Sequence, residues 1–142
     1  MPDQLMTLSV RQPWAWLICR GGKNVENRTW KTAHTGLMLI HASKIVDSFA
    51  CDYLKRRGVS LPDSFEIGGI VGRVRLMGCA GPNIPCNSMW AEEDNFHWLL
   101  EDRHPVPFIP CRGRLCLFDL WKHSPDAARE YVKLHGAEKV LV

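Results

Sequence analysis

Apolar side chains recur along this chain at two spacings, and the change from one to the other marks out its elements. Leu5 to Val10 predicts a first short strand. Gln12-Pro13 then opens a helix, proline standing where its missing N–H costs nothing, and the helix runs to about Arg20 before Gly21-Gly22 ends it. Val25 to Trp30 alternates loosely enough for an irregular strand. After a turn at His34 to Gly36, the run Leu37-Met38-Leu39-Ile40-His41-Ala42 predicts a buried strand. Ile45, Phe49, Tyr53 and Leu54 follow helical spacing, which predicts a helix over about 46–57 that stops at Gly58.

Ile67 to Leu76 is the strongest strand pattern, and its Gly68, Gly69 and Gly72 predict bulges and strong curvature. A loop holding Pro82, Pro85 and the acidic Glu92-Glu93-Asp94 extends from Cys79 to Asn95. Phe96 to Leu100 predicts a strand ending at Glu101-Asp102, followed by a proline-broken edge over 105–110 and a last strand from Arg114 to Leu120. Ser124 as cap and Pro125 as first residue open a terminal helix over 126–135 that stops at Gly136. Five or six short strands with about three helices, and no regular βαβ alternation, predict an α+β fold built as a compact mixed β-barrel.

With 142 residues, 46% of them apolar and 23% charged, the chain has the balance of a globular polypeptide, and residues 1–142 are expected to form a single domain. Its longest apolar run, Pro13 to Cys19, is far shorter than the roughly 20 residues that cross a bilayer, and no cleavable leader is visible, so the expected location is cytoplasmic. The six cysteines include no CxxC pair and predict free thiols, with neither a metal site nor a cofactor expected. Whether activity would need a divalent metal stays open.

Net charge is only +3, but its distribution is uneven. Residues 1–44 hold six Lys and Arg against two acids, and the remaining segments are neutral or slightly acidic. The same segment carries Trp14, Trp16 and Trp30, half of the six tryptophans. Cations interleaved with flat rings suit a single-stranded nucleic acid or a nucleotide, by phosphate neutralisation and base stacking.

Three ordered runs carry a family resemblance: Leu8 to Ala15 (LSVRQPWA), Gly22 to Trp30 (GKNVENRTW) and Gly36 to Lys44 (GLMLIHASK). With Gly69 to Gly72, Trp90, His97-Trp98 and Pro110 to Gly113, they make residues 7–121 resemble activating signal cointegrator homology (ASCH) domains. The resemblance implies a PUA-like barrel, named for pseudouridine synthase and archaeosine transglycosylase domains, and a ligand that is RNA or another nucleic acid. It also implies a cleft between the first helix and the barrel, with Gln12, Pro13, Trp14 and Trp30 among the expected binding residues.

The sequence can then be asked what it places in that cleft. Lys23 follows the glycine stop and can reach back. Glu26 and Arg28, two apart in a strand, share a face, and a carboxylate between two cations stays ionised. Glu26 is thus a candidate acceptor for a base edge or a general base, while Lys23 and Arg28 suit a phosphate or a developing oxyanion. His41, at the end of a buried strand, is a candidate proton-transfer group, beside Ser43 and a phosphate-contacting Lys44. Trp90 and His97 would close the pocket.

Three functions fit. The first is binding of single-stranded RNA or a nucleotide, with ribonuclease chemistry from Lys23, Glu26 and His41 as an extension. The second is an amidohydrolase acting on N(4)-acetylated cytidine, as in bacterial family members expected to use a lysine, a threonine three residues later and a distant glutamate. Lys23 matches that lysine, but Glu26 occupies the threonine position. The third is a non-catalytic reader or coregulator-type interaction domain; no GxSxG elbow, HExxH helix or phosphate-cradling glycine loop points to a nucleophile.

Overall fold

A computed structural model describes residues 4–136. Six strands form one mixed sheet: β1 (Met6–Gln12), β2 (Val25–Arg28), β3 (Gly36–Val46), β4 (Gly69–Ala80), β5 (Phe96–Pro110) and β6 (Leu117–Asp119). Four helices accompany them: α1 (Trp14–Arg20), α2 (Ser48–Arg56), α3 (Leu120–His123) and α4 (Pro125–His135). The strand order is β2-β5-β4-β3-β1-β6, with β1 parallel to β3 and the other pairs antiparallel.

No backbone ladder joins β2 to β6 among the described residues, so the sheet is not a closed barrel. It does curl, because the Arg28 guanidinium on β2 donates at 2.9 Å to the Ser9 carbonyl on β1, although β5, β4 and β3 lie between those strands in the sheet order. A side chain thus spans the gap that a ladder would fill in a barrel. Both faces of the sheet are covered. Leu8, Val10, Met38, Ile40, Ala42 and Trp98 pack with α1 in one core cluster, while Leu39, Ile70, Phe118 and Tyr131 form a second against α3 and α4. This double coverage explains why the β3 sequence reads as an almost continuous apolar run.

At Gly72 helix α1 meets β4 so closely that a Cβ would lie 2.1 Å from Cys19 Sγ and 2.9 Å from the His104 carbonyl, which requires glycine. The ladder between β4 and β5 shifts register three times, giving the predicted curvature.

Three expectations need correction. The strand beginning at Phe96 does not stop at Glu101-Asp102; it continues through Asp102, whose φ is +46°, and runs to Pro110. The proline-rich half is nevertheless an edge, since β2 pairs only with Phe96 to Leu99 and β4 is the only strand that pairs with His104 to Pro110 among the described residues. The last strand spans only Leu117–Asp119, because the Asp119 side chain accepts from Trp121 N and starts the short α3, which the apolar pattern did not reveal. Helix α2 forms where the helical spacing predicts it, and of its apolar residues it buries only Leu54, with Phe49 88% and Tyr53 54% exposed. Ser124 occupies the N-cap position of α4 but makes no side-chain capping bond; Pro125 and the buried Ala127, Ala128 and Tyr131 define that helix instead.

Candidate nucleic-acid interface

Strand β2 brings the central cluster together. Lys23 enters from the turn after α1, donating its ammonium to the Val25 carbonyl at 2.5 Å and to Glu26 Oε1 at 2.9 Å. Arg28 donates its Nε to Glu26 Oε2 at 3.0 Å, so the two residues share a face as their spacing predicts. Lys23 and Glu26 are both buried, at 3% and 6% exposure. Burial alone pushes the Glu26 carboxyl up. The charges of Lys23 and Arg28, with their hydrogen bonds, outweigh that penalty and hold it below its ordinary value.

The Lys23 ammonium lies 5.6 Å from the centre of the Trp14 ring, and both residues line a cavity of about 570 Å³. Glu26 lies at the same cavity, with Tyr53 and Arg57 on the α2 side and Trp90 on the other. Asn27 ties the loop carrying Trp90 to β2, donating to the Trp90 carbonyl and accepting from Glu92 N, each at 2.9 Å. The Arg57 guanidinium sits 4.6 Å from the Tyr53 ring centre. A carboxylate fixed between cations and bordered by Trp14, Tyr53 and Trp90 presents a hydrogen-bond acceptor among stacking surfaces.

Not every candidate belongs here. Gln12 is buried and spends its side chain on protein, accepting from Trp16 N at 2.8 Å and donating to the Glu66 carbonyl at 2.9 Å; Pro13 precedes α1 as its N-cap residue. Trp30, half-buried, packs edge-on against Trp98 at 4.8 Å, and its carbonyl accepts the Trp98 indole N–H, so its ring lies against the core. His97 is buried and bonds through Nε2 to the Glu92 carbonyl at 2.7 Å, anchoring the loop from beneath without reaching the cavity.

His41 is also displaced from the expected cleft. It alternates with Ile40 and Ala42, which face the α1 side of the sheet, so its side chain emerges on the other face. Ser9 is its partner in the parallel ladder, and Ser9 Oγ lies 3.0 Å from His41 Nδ1. His41 Nε2 lies 2.8 Å from the Cys111 carbonyl, which can only accept, so Nε2 carries the proton and the Ser9 hydroxyl donates to Nδ1. Burial lowers the His41 pKa against the opposing effect of that carbonyl and keeps the ring neutral. His41, Ser43 and Lys44 line a second cavity of about 580 Å³ with the loop 111–115. The three residues expected to cooperate in catalysis are therefore split between two cavities.

Ser9 joins the two. Its carbonyl accepts from Arg28 and its hydroxyl bonds His41, completing a chain from Lys23 through Glu26, Arg28 and Ser9 to His41 and the Cys111 carbonyl. Sequence reasoning missed Ser9, Asn27, Tyr53 and Arg57. Asn27 stood only within the run Gly22 to Trp30, and Tyr53 only within the helical spacing of α2. All six cysteines are free, and burial pushes the Cys19 thiol up to about 12. Among the described residues no three His, Cys, Asp or Glu side chains form a metal-holding group, and no helix is long and apolar enough to cross a membrane.

The fold is that of a PUA-like domain. Crystal structures of two point variants of the ASCH protein from Zymomonas mobilis superpose with TM-scores of 0.58, covering 93% and 94% of this chain and 99% of each of those chains at 14% and 15% identity. The ASCH domain sequence model matches residues 8–133, and the chain belongs to the ASCH domain family, whose fold is associated with RNA binding. Activating signal cointegrator 1 of Homo sapiens is 39% identical over 80 residues, and that of Mus musculus 38%. The match covers 51% of this chain and 14% of either relative.

Proposed function

We propose that the domain binds single-stranded RNA by seating one base in the Trp14 cavity, and that it reads this base without cutting the strand. The observation that carries the reading is the fixed, ionised Glu26 carboxylate at a cavity bordered by Trp14, Tyr53 and Trp90. Each carboxylate oxygen already accepts one protein donor and retains capacity for a second, so Glu26 suits the N–H groups of a base edge. Stacking on Trp14 or Trp90 would supply roughly 1–3 kcal/mol for the base.

The same geometry argues against hydrolysis. A carboxylate held below its ordinary pKa by two cations is a weak proton acceptor near neutrality. Lys23 is committed to Val25 and Glu26, and no hydroxyl stands at position 26 to serve as the amidohydrolase threonine. His41 belongs to the other cavity. The likeness to Activating signal cointegrator 1 concerns a small part of that protein and transfers no regulatory role.

The test is fluorescence anisotropy with a labelled single-stranded RNA, followed by electrophoresis of the recovered strand with and without EDTA. The expected result is saturable binding, weakened about fivefold or more by Trp14→Ala, with the strand intact. Equal affinity in the variant removes the base-seating role, and scission that disappears in Lys23→Ala replaces the reader with a ribonuclease.

A further inference from the structure

The second cavity has a distinct electrostatic character. Lys44 near the end of β3 and Arg112 and Arg114 in the loop between β5 and β6 line it together, and no acidic residue does. All three cations are exposed, and none pairs with an acid among the described residues. The cavity is nevertheless built. The Cys111 amide donates to the Gly68 carbonyl at 3.1 Å, while the Cys111 carbonyl takes the His41 Nε2 proton at 2.8 Å. The loop then passes so close over the Ser9–His41 pair that a Cβ at Gly113 would lie 2.3 Å from Ser9 Oγ and 2.6 Å from His41 Cε1. The Lys44 stem lies beside Gly68, where an added Cβ would be 3.5 Å from Lys44 Cε.

We propose that this cavity is a second binding site, for a phosphate group, with Lys44, Arg112 and Arg114 as its charged residues. Two guanidinium groups and an ammonium lining one cavity without a carboxylate match the charge of a phosphate, and each guanidinium offers it a fork of N–H donors. The neutral His41 ring and the Ser9 hydroxyl are satisfied by one another and by Cys111, so they position the loop and leave the charge to the three cations. The phosphate has two sources, a nucleic-acid backbone or a free phosphate. The first rests on the proposed RNA reading of the Trp14 cavity, whereas the second stands apart from it.

An abasic single-stranded deoxyribose phosphate oligomer separates the sites, because it offers phosphates and no base. Its affinity is followed by anisotropy at several salt concentrations, with amide chemical-shift mapping in parallel. Wild type should bind with shifts at residues 41–44 and 111–115. The double variant Arg112→Ser/Arg114→Ser should weaken that binding at least tenfold and reduce the slope of log affinity against log salt by about 1.4, roughly 0.7 for each phosphate left without its arginine. Lys44→Gln should give a smaller decrease in the same direction. Inorganic phosphate shifting the same amides while the oligomer fails would support the site with a free ligand. Equal oligomer affinity and slope in wild type and double variant, with no phosphate-induced shifts at these amides, would overturn it. Failure of the base-seating proposal appears elsewhere, as RNA binding that does not depend on Trp14.

Discussion

The two cavities have nearly equal volumes, about 570 and 580 Å³, yet they hold their cations in opposite ways. At the Trp14 cavity, Lys23 and Arg28 both pair with Glu26, which leaves the cluster a single net positive charge, and Lys23 and Glu26 are out of water. At the second, Lys44, Arg112 and Arg114 stand exposed with no counter-charge lining the cavity. An internally paired cluster offers less net attraction to a phosphate, but it fixes an acceptor with the rigidity that base-edge recognition needs. Unpaired cations give little direction and strong, salt-dependent attraction. The same residue types therefore serve discrimination in one place and attraction in the other.

The contrast breaks most severely at Glu26. Glu26→Ala leaves the buried Lys23 ammonium uncompensated and should cost about 3–5 kcal/mol in chemical denaturation. Arg112→Ala and Arg114→Ala should each stay within about 0.5 kcal/mol of wild type in the same assay. Gly113→Ala forces the loop off Ser9 and His41 and should destabilise by about 1–2 kcal/mol, with disturbed amide shifts for 111–115. Trp14→Ala should weaken RNA binding by roughly 1–3 kcal/mol, measured by anisotropy.

Acid titration of stability gives a smaller and finer contrast. The folded Glu26 carboxyl lies below its ordinary value, so its contribution is complete above about pH 4.3 and is lost as the pH falls through the lower folded pKa. The folded His41 pKa is likewise depressed. The unfolded ring takes its proton first, and stability therefore begins to fall below about pH 6.5 and levels once folded His41 also protonates. Denaturation midpoints between about pH 7 and pH 3 should show both steps. His41→Asn should remove the earlier one and Glu26→Ala the later one.

Much of this arrangement can be read from local spacing, and the failures are instructive. The Lys23, Glu26 and Arg28 cluster was predictable because strand period and charge sequence act within six residues. The strand at 37–42 was recognisable because both its faces are covered. His41 was misplaced because a continuous apolar run conceals which face each residue takes. Phe49 and Tyr53 located α2 but not its surroundings: helical periodicity marks a stripe but not what covers it, and here only Leu54 is buried. Ser9, Arg112 and Arg114 become neighbours only through the parallel pairing of β1 with β3 and the loop closing above it.

Amide chemical-shift mapping of the wild-type domain with a short single-stranded RNA tests the central claim most directly. The account predicts two groups of shifted amides, at 23–28 with 88–92 and at 41–44 with 111–115, the second group alone collapsing as salt is raised. Shifts confined to the exposed edge of β5 or to α4, with both groups silent, would contradict it.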